Sequence, residues 1–254
     1  MRNNTKTKSI FAVILAAALL CISSVCFASG GSMRETVGTD ISGLSSITFG
    51  GDTVDGSIFP GSRLTVINIW QRWCGPCWAE MPYFQQLYEY YSEEPEAGVS
   101  IWGALYYGDN PENIQQAIDF VADNGYTWDQ MLMCDELLAA ISQEGEEYIH
   151  VPQTLIVDRY GIIRAQVVGK VDSYEELSEL VVTWLETLNA EYAESAGDVD
   201  GNGEVTVTDA LFALRHAMGI ITLDISAQLR GDLNGDGRID STDSILILRM
   251  VIES

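Results

Sequence analysis

The spacing of hydrophobic positions changes along the chain, and each spacing predicts a type of element. Residues 64–70 and 99–105 are short apolar runs of the length expected for buried strands. Apolar residues at 154–157 and 162–168 flank the turn sequence DRYG, which predicts a hairpin. Between 177 and 188, apolar side chains recur at helical spacing after a capping signal at Asp172 and Ser173. Residues from about 40 to 189 thus alternate strand-like and helix-like segments, which is typical of an α/β domain.

The first 28 residues have the pattern of an export signal. Basic residues at positions 2, 6 and 8 precede an apolar run at 10–20, and Ala28 closes a small-residue exit. We expect residues 1–28 to be a signal peptide and the mature protein to be secreted. Because Cys21 and Cys26 lie in this leader, a lipoprotein signal is the alternative. Nothing later approaches about 18 uninterrupted apolar residues, so we expect no membrane span in the mature chain.

The charge balance excludes several classes of partner. The chain has 13 Lys and Arg against 37 Asp and Glu, a formal net charge of −24. Nucleic acids and anionic membranes both require a cationic surface, so we expect neither as a partner. With 47% hydrophobic residues, the chain is too apolar to be a disordered acidic tail.

The strongest chemical signal is the sequence WCGPCW at residues 73–78, directly after a predicted buried strand. Two thiols three residues apart at the start of a helix can close a disulfide, and the helix dipole there favours a thiolate. We expect Cys74 to attack and Cys77 to resolve the mixed disulfide. Trp73 and Trp78 flank the motif as an apolar platform for substrate. A zinc site is disfavoured, because Cys134 and His150 are poorly spaced as a second ligand pair.

These residues resemble the thioredoxin fold, and more closely the extracytoplasmic TlpA-type thiol–disulfide oxidoreductases. The resemblance covers roughly residues 40–189 and rests on 66–70, 73–77, 80–82 and 151–158. It implies an α/β fold, with a central mixed sheet flanked by helices, for a redox domain at residues 29–189. It also implies that Pro152, next to Val151, is a cis-proline facing the disulfide. Val151 is accordingly expected to contact substrate.

The resemblance also assigns a proton carrier. Asn68 stands where cytoplasmic thioredoxin has a buried aspartate, so that relay is absent here. Glu80 follows Cys77 by one helical turn, where the TlpA type carries a carboxylate. We therefore expect Glu80 to exchange protons with Cys77.

Two other functions stay open at this point. The redox domain could recognise peptides without using its redox chemistry. It could also be a thiol peroxidase, although Gln71 stands where peroxiredoxins have a threonine. As an oxidoreductase it would act on protein thiols or disulfides and would need an extracytoplasmic electron donor or acceptor.

A duplicated acidic segment lies beyond a short polar linker at 190–197. The segments 198–209 and 232–243 share the pattern D-x-[DN]-x-[DN]-G, and the second follows the first by 34 residues. This pattern is typical of EF-hand calcium loops, in which oxygen ligands recur at alternate positions. We expect two calcium ions, held by the following residues: Asp198, Asp200, Asn202, Glu204 and Asp209 in the first loop, and Asp232, Asn234, Asp236, Arg238, Asp240 and Asp243 in the second. Glu204 and Arg238 would ligate through their backbone carbonyls.

The two repeats resemble a type I dockerin, because a loop rather than a helix precedes the first copy and aspartate closes both. The resemblance implies a small all-α domain at 198–254 with two loop–helix repeats. It further implies calcium-dependent binding to a cohesin domain of a scaffoldin, as in a cellulosome. The recognition positions of that family correspond to Val207, Thr208, Arg215, His216, Ser241, Thr242, Arg249 and Met250.

Overall fold

The computed structural model describes residues 32–34 (backbone only), 38–106, 110, 112–142, 149–235 and 237–253. The predicted signal peptide and Asp236 lie outside these residues. None of the described helices is long and apolar enough to cross a membrane.

The redox region contains eight strands among its described residues. Their bounds are β1 Ser32–Arg34, β2 Ser45–Ile47, β3 Thr53–Asp55, β4 Leu64–Trp70, β5 Val99–Leu105, β6 Asp129–Leu132, β7 Gln153–Asp158 and β8 Ile163–Val168. The helices of the described chain are α1 Gly75–Glu93, α2 Glu112–Asp123, α3 Asp135–Ile141, α4 Tyr174–Ser195, α5 Val207–Ala217, α6 Ile225–Gly231 and α7 Ser241–Glu253.

Six strands form one mixed sheet in the order β1-β8-β7-β4-β5-β6, and β2 pairs with β3 separately. Strand β4 runs parallel to β5 and antiparallel to β7. Strands β7 and β8 form the hairpin predicted from the sequence. Its turn is closed by the side chain of Asp158, which accepts hydrogen bonds from the N–H groups of Tyr160 and Ile162. The predicted mixed sheet flanked by helices is confirmed.

Strand β4 is buried along all seven of its residues, because side chains from both of its faces enter cores. Leu64, Val66 and Trp70 point into a core shared with α1 and α4. Ile67 and Ile69 point into a second core on the opposite face of the sheet. Burial on both faces explains why this segment reads as a nearly continuous apolar run.

The predicted linker at 190–197 is helical over most of its length, because α4 continues to Ser195. Tyr192 in this extension donates a hydrogen bond to the carbonyl oxygen of Arg63 at 2.9 Å and accepts one from the N–H of Arg159 at 3.1 Å. Glu191 also pairs with Arg164 at 2.7 Å. These contacts with distant residues extend the helix beyond the apolar pattern seen in the sequence. The helix ends before Gly197, whose φ of 89° favours glycine.

The C-terminal region has its own small core, built between α5, α6 and α7. The buried apolar residues of this core are Val199, Ala210, Ala213, Ala227, Ile239 and Ile247. The hydroxyl of Ser244 on α7 donates to the carbonyl oxygen of Ala210 on α5 at 2.8 Å. The two duplicated loops precede α5 and α7, so the repeat in the sequence corresponds to a repeat of loop and helix.

A buried polar contact fixes the tryptophan that ends β4. The indole Nε1 of Trp70 donates to the Oε1 atom of Gln130 on β6 at 3.0 Å. Gly103 on β5 lies between these two strands. A Cβ atom at Gly103 would lie 2.0 Å from Gln130 Oε1, so only glycine leaves room for this amide.

We therefore expect Gly103→Ala to displace Gln130 and break its bond to Trp70. The free energy of unfolding should fall by about 1–3 kcal/mol, the usual cost of a buried polar group left without a partner. Urea denaturation measures this change. Gly43→Ala is the matched control, because a Cβ there would meet nothing within 4 Å. Equal losses in the two variants would contradict the role given to Gly103.

Candidate redox and calcium-binding sites

Cys74 and Cys77 form a disulfide at the N-terminus of α1, and their Cα atoms lie 5.2 Å apart. This turn follows strand β4, at the end of the sheet where the parallel strands β4 and β5 have their carboxyl ends. The two sulfurs differ in access, since Cys74 is 8% exposed and Cys77 is fully buried. Cys74 is therefore the more accessible sulfur, while the order of attack and resolution stays a prediction.

The first turn of α1 stabilises negative charge at Cys74. Cys74 is the N-cap residue, and its Sγ atom accepts a hydrogen bond from the N–H of Cys77 at 3.1 Å. Unpaired N–H groups at a helix N-terminus carry partial positive charge. The same bond would stabilise the Cys74 thiolate once the disulfide is reduced.

A second segment of chain approaches the disulfide from the start of β7. The Val151–Pro152 peptide bond is cis, as the resemblance implied. The carbonyl oxygen of Val151 lies 3.8 Å from the Sγ atom of Cys74. Val151 is half-buried and Pro152 is buried. The fold thus brings residues 77 positions apart in the sequence into contact.

Aromatic side chains surround the motif on the outside. Trp73 is 53% exposed and Trp78 is 38% exposed, so both indoles present apolar surface beside the disulfide. The guanidinium of Arg72 lies over the rings of Trp78 and Phe120, at 5.3 Å and 5.5 Å from their centroids. Phe120 belongs to α2 and carried no sequence signal that distinguished it from an ordinary helix residue. His150, in contrast, is exposed.

Glu80 is fully buried beneath the disulfide, one turn of α1 after Cys77. Its Oε1 atom accepts a hydrogen bond from Asn68 Nδ2 at 2.7 Å, and its Oε2 atom accepts one from the N–H of Val171 at 2.9 Å. Burial raises the pKa of the Glu80 carboxyl from 4.5 to about 8, although both hydrogen bonds and the charge of Lys170 lower it in part. A carboxyl with such a pKa can bind or release a proton near neutral pH.

Val171 was not found by sequence reasoning, because it acts through its backbone N–H. Every residue except proline has this group, so the residue type gives no signal. Gly169, with a φ of 100°, lies two residues before Val171 and marks a change in backbone direction there.

In the first duplicated loop, carboxylate oxygens of Asp198, Asp200 and Asp209 converge to within 4.8 Å of one another. Backbone N–H groups hold them in place: Asp198 accepts from Asn202 and Gly203, and Asp209 accepts from Asp200. Three carboxylates this close repel one another without a cation. Oxygen donors in this arrangement fit calcium, so the residues suit the ion that the loop pattern predicts.

The second loop has similar backbone contacts to its carboxylates over its described part. Asp232 accepts a hydrogen bond from the N–H of Gly237 at 2.9 Å. Asp243 accepts from the N–H groups of Leu233 and Asp240, each at 3.0 Å. Asp243 therefore closes the second loop as Asp209 closes the first. Asp236 is outside the described residues, and the ligand roles of all the loop residues stay predictions.

The predicted recognition positions lie on helices α5 and α7. The exposed residues among them are Val207, Thr208, Arg215, Ser241, Thr242, Arg249 and Met250. His216 differs, because it is half-buried and its Nδ1 atom accepts a hydrogen bond from the N–H of Leu223 at 3.1 Å. Its ring therefore closes the turn after α5, a role that depends on a residue in the next segment.

The N-terminal fold and its helix-capping disulfide define a thioredoxin-like protein. Residues 32–181 match the family model described as Redoxin, and the chain belongs to this family. Residues 196–252 match the model of the dockerin type I domain. The family predictions made for both regions are confirmed.

Relatives of the redox region carry disulfide-exchange names. The chain is 30% identical over 127 residues to "Thiol:disulfide interchange protein DsbE" of Pseudomonas aeruginosa, covering 44% of this chain and 60% of that protein. It is 27% identical over 175 residues to the protein of the same name from Vibrio cholerae, covering 61% of this chain and 80% of that one. A solved thiol:disulfide interchange protein from Chlorobium tepidum aligns with a TM-score of 0.48 at 20% identity, over 58% of this chain and 97% of that chain.

The buried carboxyl predicts a specific dependence of stability on pH. Because the pKa of Glu80 is raised to about 8 in the folded protein, the folded state binds its proton more tightly than the unfolded state. The stability that this carboxyl provides is therefore complete below about pH 4.5 and is lost as the pH rises toward 8. Glu80→Gln should remove this loss and be the more stable variant at pH 8, by on the order of 3 kcal/mol.

Denaturation of the oxidised protein at a series of pH values, with calcium constant, measures this difference. Glu93→Gln is the matched control, because Glu93 is exposed in the last turn of the same helix. If the free energies of unfolding of the wild type and Glu80→Gln changed with pH in the same way, the Glu80 carboxyl would not titrate in this range.

Proposed function

We propose that this protein is a secreted thiol–disulfide oxidoreductase, with Cys74 as the attacking residue and Cys77 as the resolving residue. The observation that carries the proposal is the disulfide capping α1, with its more accessible sulfur 3.8 Å from the Val151 carbonyl oxygen. The named relatives support the same chemistry. The intact cysteine pair favours this function over peptide binding alone.

The reaction can be written for reduction of a substrate disulfide. The Cys74 thiolate attacks one substrate sulfur, the substrate S–S bond breaks, and the other sulfur leaves as a thiolate that takes a proton from water. Cys77 then gives its proton to the Glu80 carboxylate and attacks Cys74. The Cys74–Cys77 bond forms as the second substrate thiolate leaves. The substrate gains two electrons, and an extracytoplasmic donor must reduce the protein again; the reverse sequence oxidises a dithiol.

Substrate binding is assigned to the surface around Cys74. Trp73 and Trp78 offer exposed apolar area to either side of the motif. Val151, whose carbonyl oxygen lies 3.8 Å from Cys74 Sγ, and the neighbouring Pro152 are expected to align an incoming peptide chain. Since this surface comprises indole rings and backbone, we expect it to accept peptides of varied sequence around a cysteine.

We expect this protein to catalyse the reduction of insulin by dithiothreitol. Cys74→Ser should lower the catalysed rate by at least about 100-fold, because the nucleophile is absent. Turbidity of the precipitating insulin chains measures the rate. Cys134→Ser is the matched control, since Cys134 is a half-buried thiol that forms no disulfide.

Wild-type activity in Cys74→Ser would overturn the proposed chemistry. Binding of an unfolded peptide by both proteins without any catalysis would instead favour the peptide-binding function. Consumption of peroxide that depends on Cys74 would favour a peroxidase.

We further propose that the C-terminal domain binds two calcium ions and attaches the enzyme to a cohesin domain of a cellulosome-like scaffoldin. The convergent carboxylates of Asp198, Asp200 and Asp209 support the first ion, and the similar backbone contacts of Asp232 and Asp243 support the second. The exposed positions on α5 and α7, led by Val207 at 60% exposure, support the docking surface. We place the mature redox domain at 29–189 and the dockerin at 198–254.

Removal of calcium should unfold the C-terminal domain, because the free energy of ion binding stabilises only the folded loops. We expect EDTA to lower the helical circular dichroism signal and to release the protein from a cohesin column. Asp200→Asn should raise the calcium concentration required by about 10-fold or more, since it removes one of three clustered charges.

Asp119→Asn, an exposed change on α2 in the redox domain, is the control for this experiment. If EDTA altered neither the dichroism nor the retention, the calcium-dependent docking function would be wrong.

A further inference from the structure

The side-chain amide of Asn68 is only half satisfied in the core. Asn68 lies on β4 and is fully buried. Its Nδ2 atom donates to Glu80 Oε1 at 2.7 Å, while its Oδ1 atom has no hydrogen-bond partner in the described part of the chain. A buried acceptor without a partner costs about 1–3 kcal/mol, so its presence in a well-packed core requires a reason.

The hydrogen-bond partners of Glu80 suit the ionised carboxylate alone. Both of its hydrogen-bond partners, Asn68 Nδ2 and the Val171 N–H, are donors. The charged groups that act on it are Lys170, which favours the carboxylate, and Glu176 on α4, which opposes it. Cys77 lies one turn earlier on α1 and is the cysteine nearest to Glu80 in the sequence.

A protonated carboxyl in the same place needs an acceptor for its O–H group. The N–H of Val171 can only donate, so a proton on Oε2 would gain nothing from it. The unsatisfied acceptor beside Glu80 is Asn68 Oδ1, and it belongs to the amide that already bonds Oε1. Rotation of this amide by 180° exchanges the positions of its nitrogen and oxygen. Oδ1 then accepts a hydrogen bond from the O–H group of the protonated Oε1.

We propose that Asn68 is a positioning residue whose amide reverses as Glu80 gains or loses a proton, so that the carboxyl keeps a hydrogen bond in both states. This inference rests on the proton-carrying role of Glu80 in the proposed function and deepens it. In the ionised state Asn68 donates through Nδ2; in the protonated state it accepts through Oδ1. Glu80 can therefore exchange a proton with Cys77 without leaving its own O–H group unpaired at any stage.

Nuclear magnetic resonance of the oxidised full-length protein with calcium tests the reversal. We would follow the Asn68 side-chain 15N and 13C signals and the Glu80 carboxyl 13C signal from about pH 5 to about pH 10. The Asn68 signals should titrate with the same midpoint as Glu80. In Glu80→Gln, whose amide can donate to Oδ1, the Asn68 signals should be independent of pH and match those of the protonated wild type.

Thr65→Val is the matched control, because Thr65 is another buried residue of β4 whose hydroxyl has no partner in the described part of the chain. It should leave the titration unchanged. Asn68 signals that stay constant while Glu80 titrates, or that keep the alkaline position in Glu80→Gln, would overturn the inference.

The pH profile of thiol exchange separates this inference from the function on which it rests. If Glu80→Gln leaves that profile unchanged while Asn68 still follows Glu80, the amide reversal holds and the proton-carrying role fails. If the profile depends on Glu80 while the Asn68 signals stay constant, the role holds and the reversal is wrong.

Discussion

The burial of strand β4 on both of its faces is the constraint on which the rest of the redox domain depends. All seven of its residues pair with β5 on one side, residues 64–69 pair with β7 on the other, and none of its side chains reaches solvent. This strand carries Asn68 into the interior and ends where the Cys74 turn begins. Because β7 pairs along the same strand, the segment before it, with Val151 and Pro152, arrives beside the disulfide.

The same burial gives the two cysteines different environments. Cys74 lies at the edge of the domain, where the first turn of α1 supplies an N–H group to its sulfur. Cys77 lies inside the helix, on the face that also carries Glu80. A carboxyl buried there costs stability at high pH, since desolvation disfavours its charged form. The same desolvation allows the Glu80 carboxyl to hold a proton at the pH at which thiols exchange.

In the C-terminal domain the governing interaction is a different one, the electrostatic repulsion between clustered carboxylates that the folded loops must offset. Its core is small, and acidic side chains such as Asp209 and Asp243 are fully buried at the start of α5 and α7. Backbone N–H groups neutralise part of their charge, and a divalent cation would neutralise more. Most of the chain's acidity lies outside these loops, on the redox domain, so calcium does not account for the overall charge.

The sequence by itself determined the features that depend on neighbouring residues: the buried strand 64–70, the cysteine pair, the hairpin at Asp158 and the two duplicated acidic loops. Each of these is written in residue types at fixed spacing, and the structure agrees with them. Only the tertiary structure decided the features that join distant segments. Glu80 could equally have been a solvated helix residue, and the extension of α4 to Ser195 depends on contacts of Tyr192 with Arg63 and Arg159. The bond from Val171 to Glu80 crosses 91 positions of the sequence and uses a backbone group that every residue but proline carries, so no pattern of side chains could predict it.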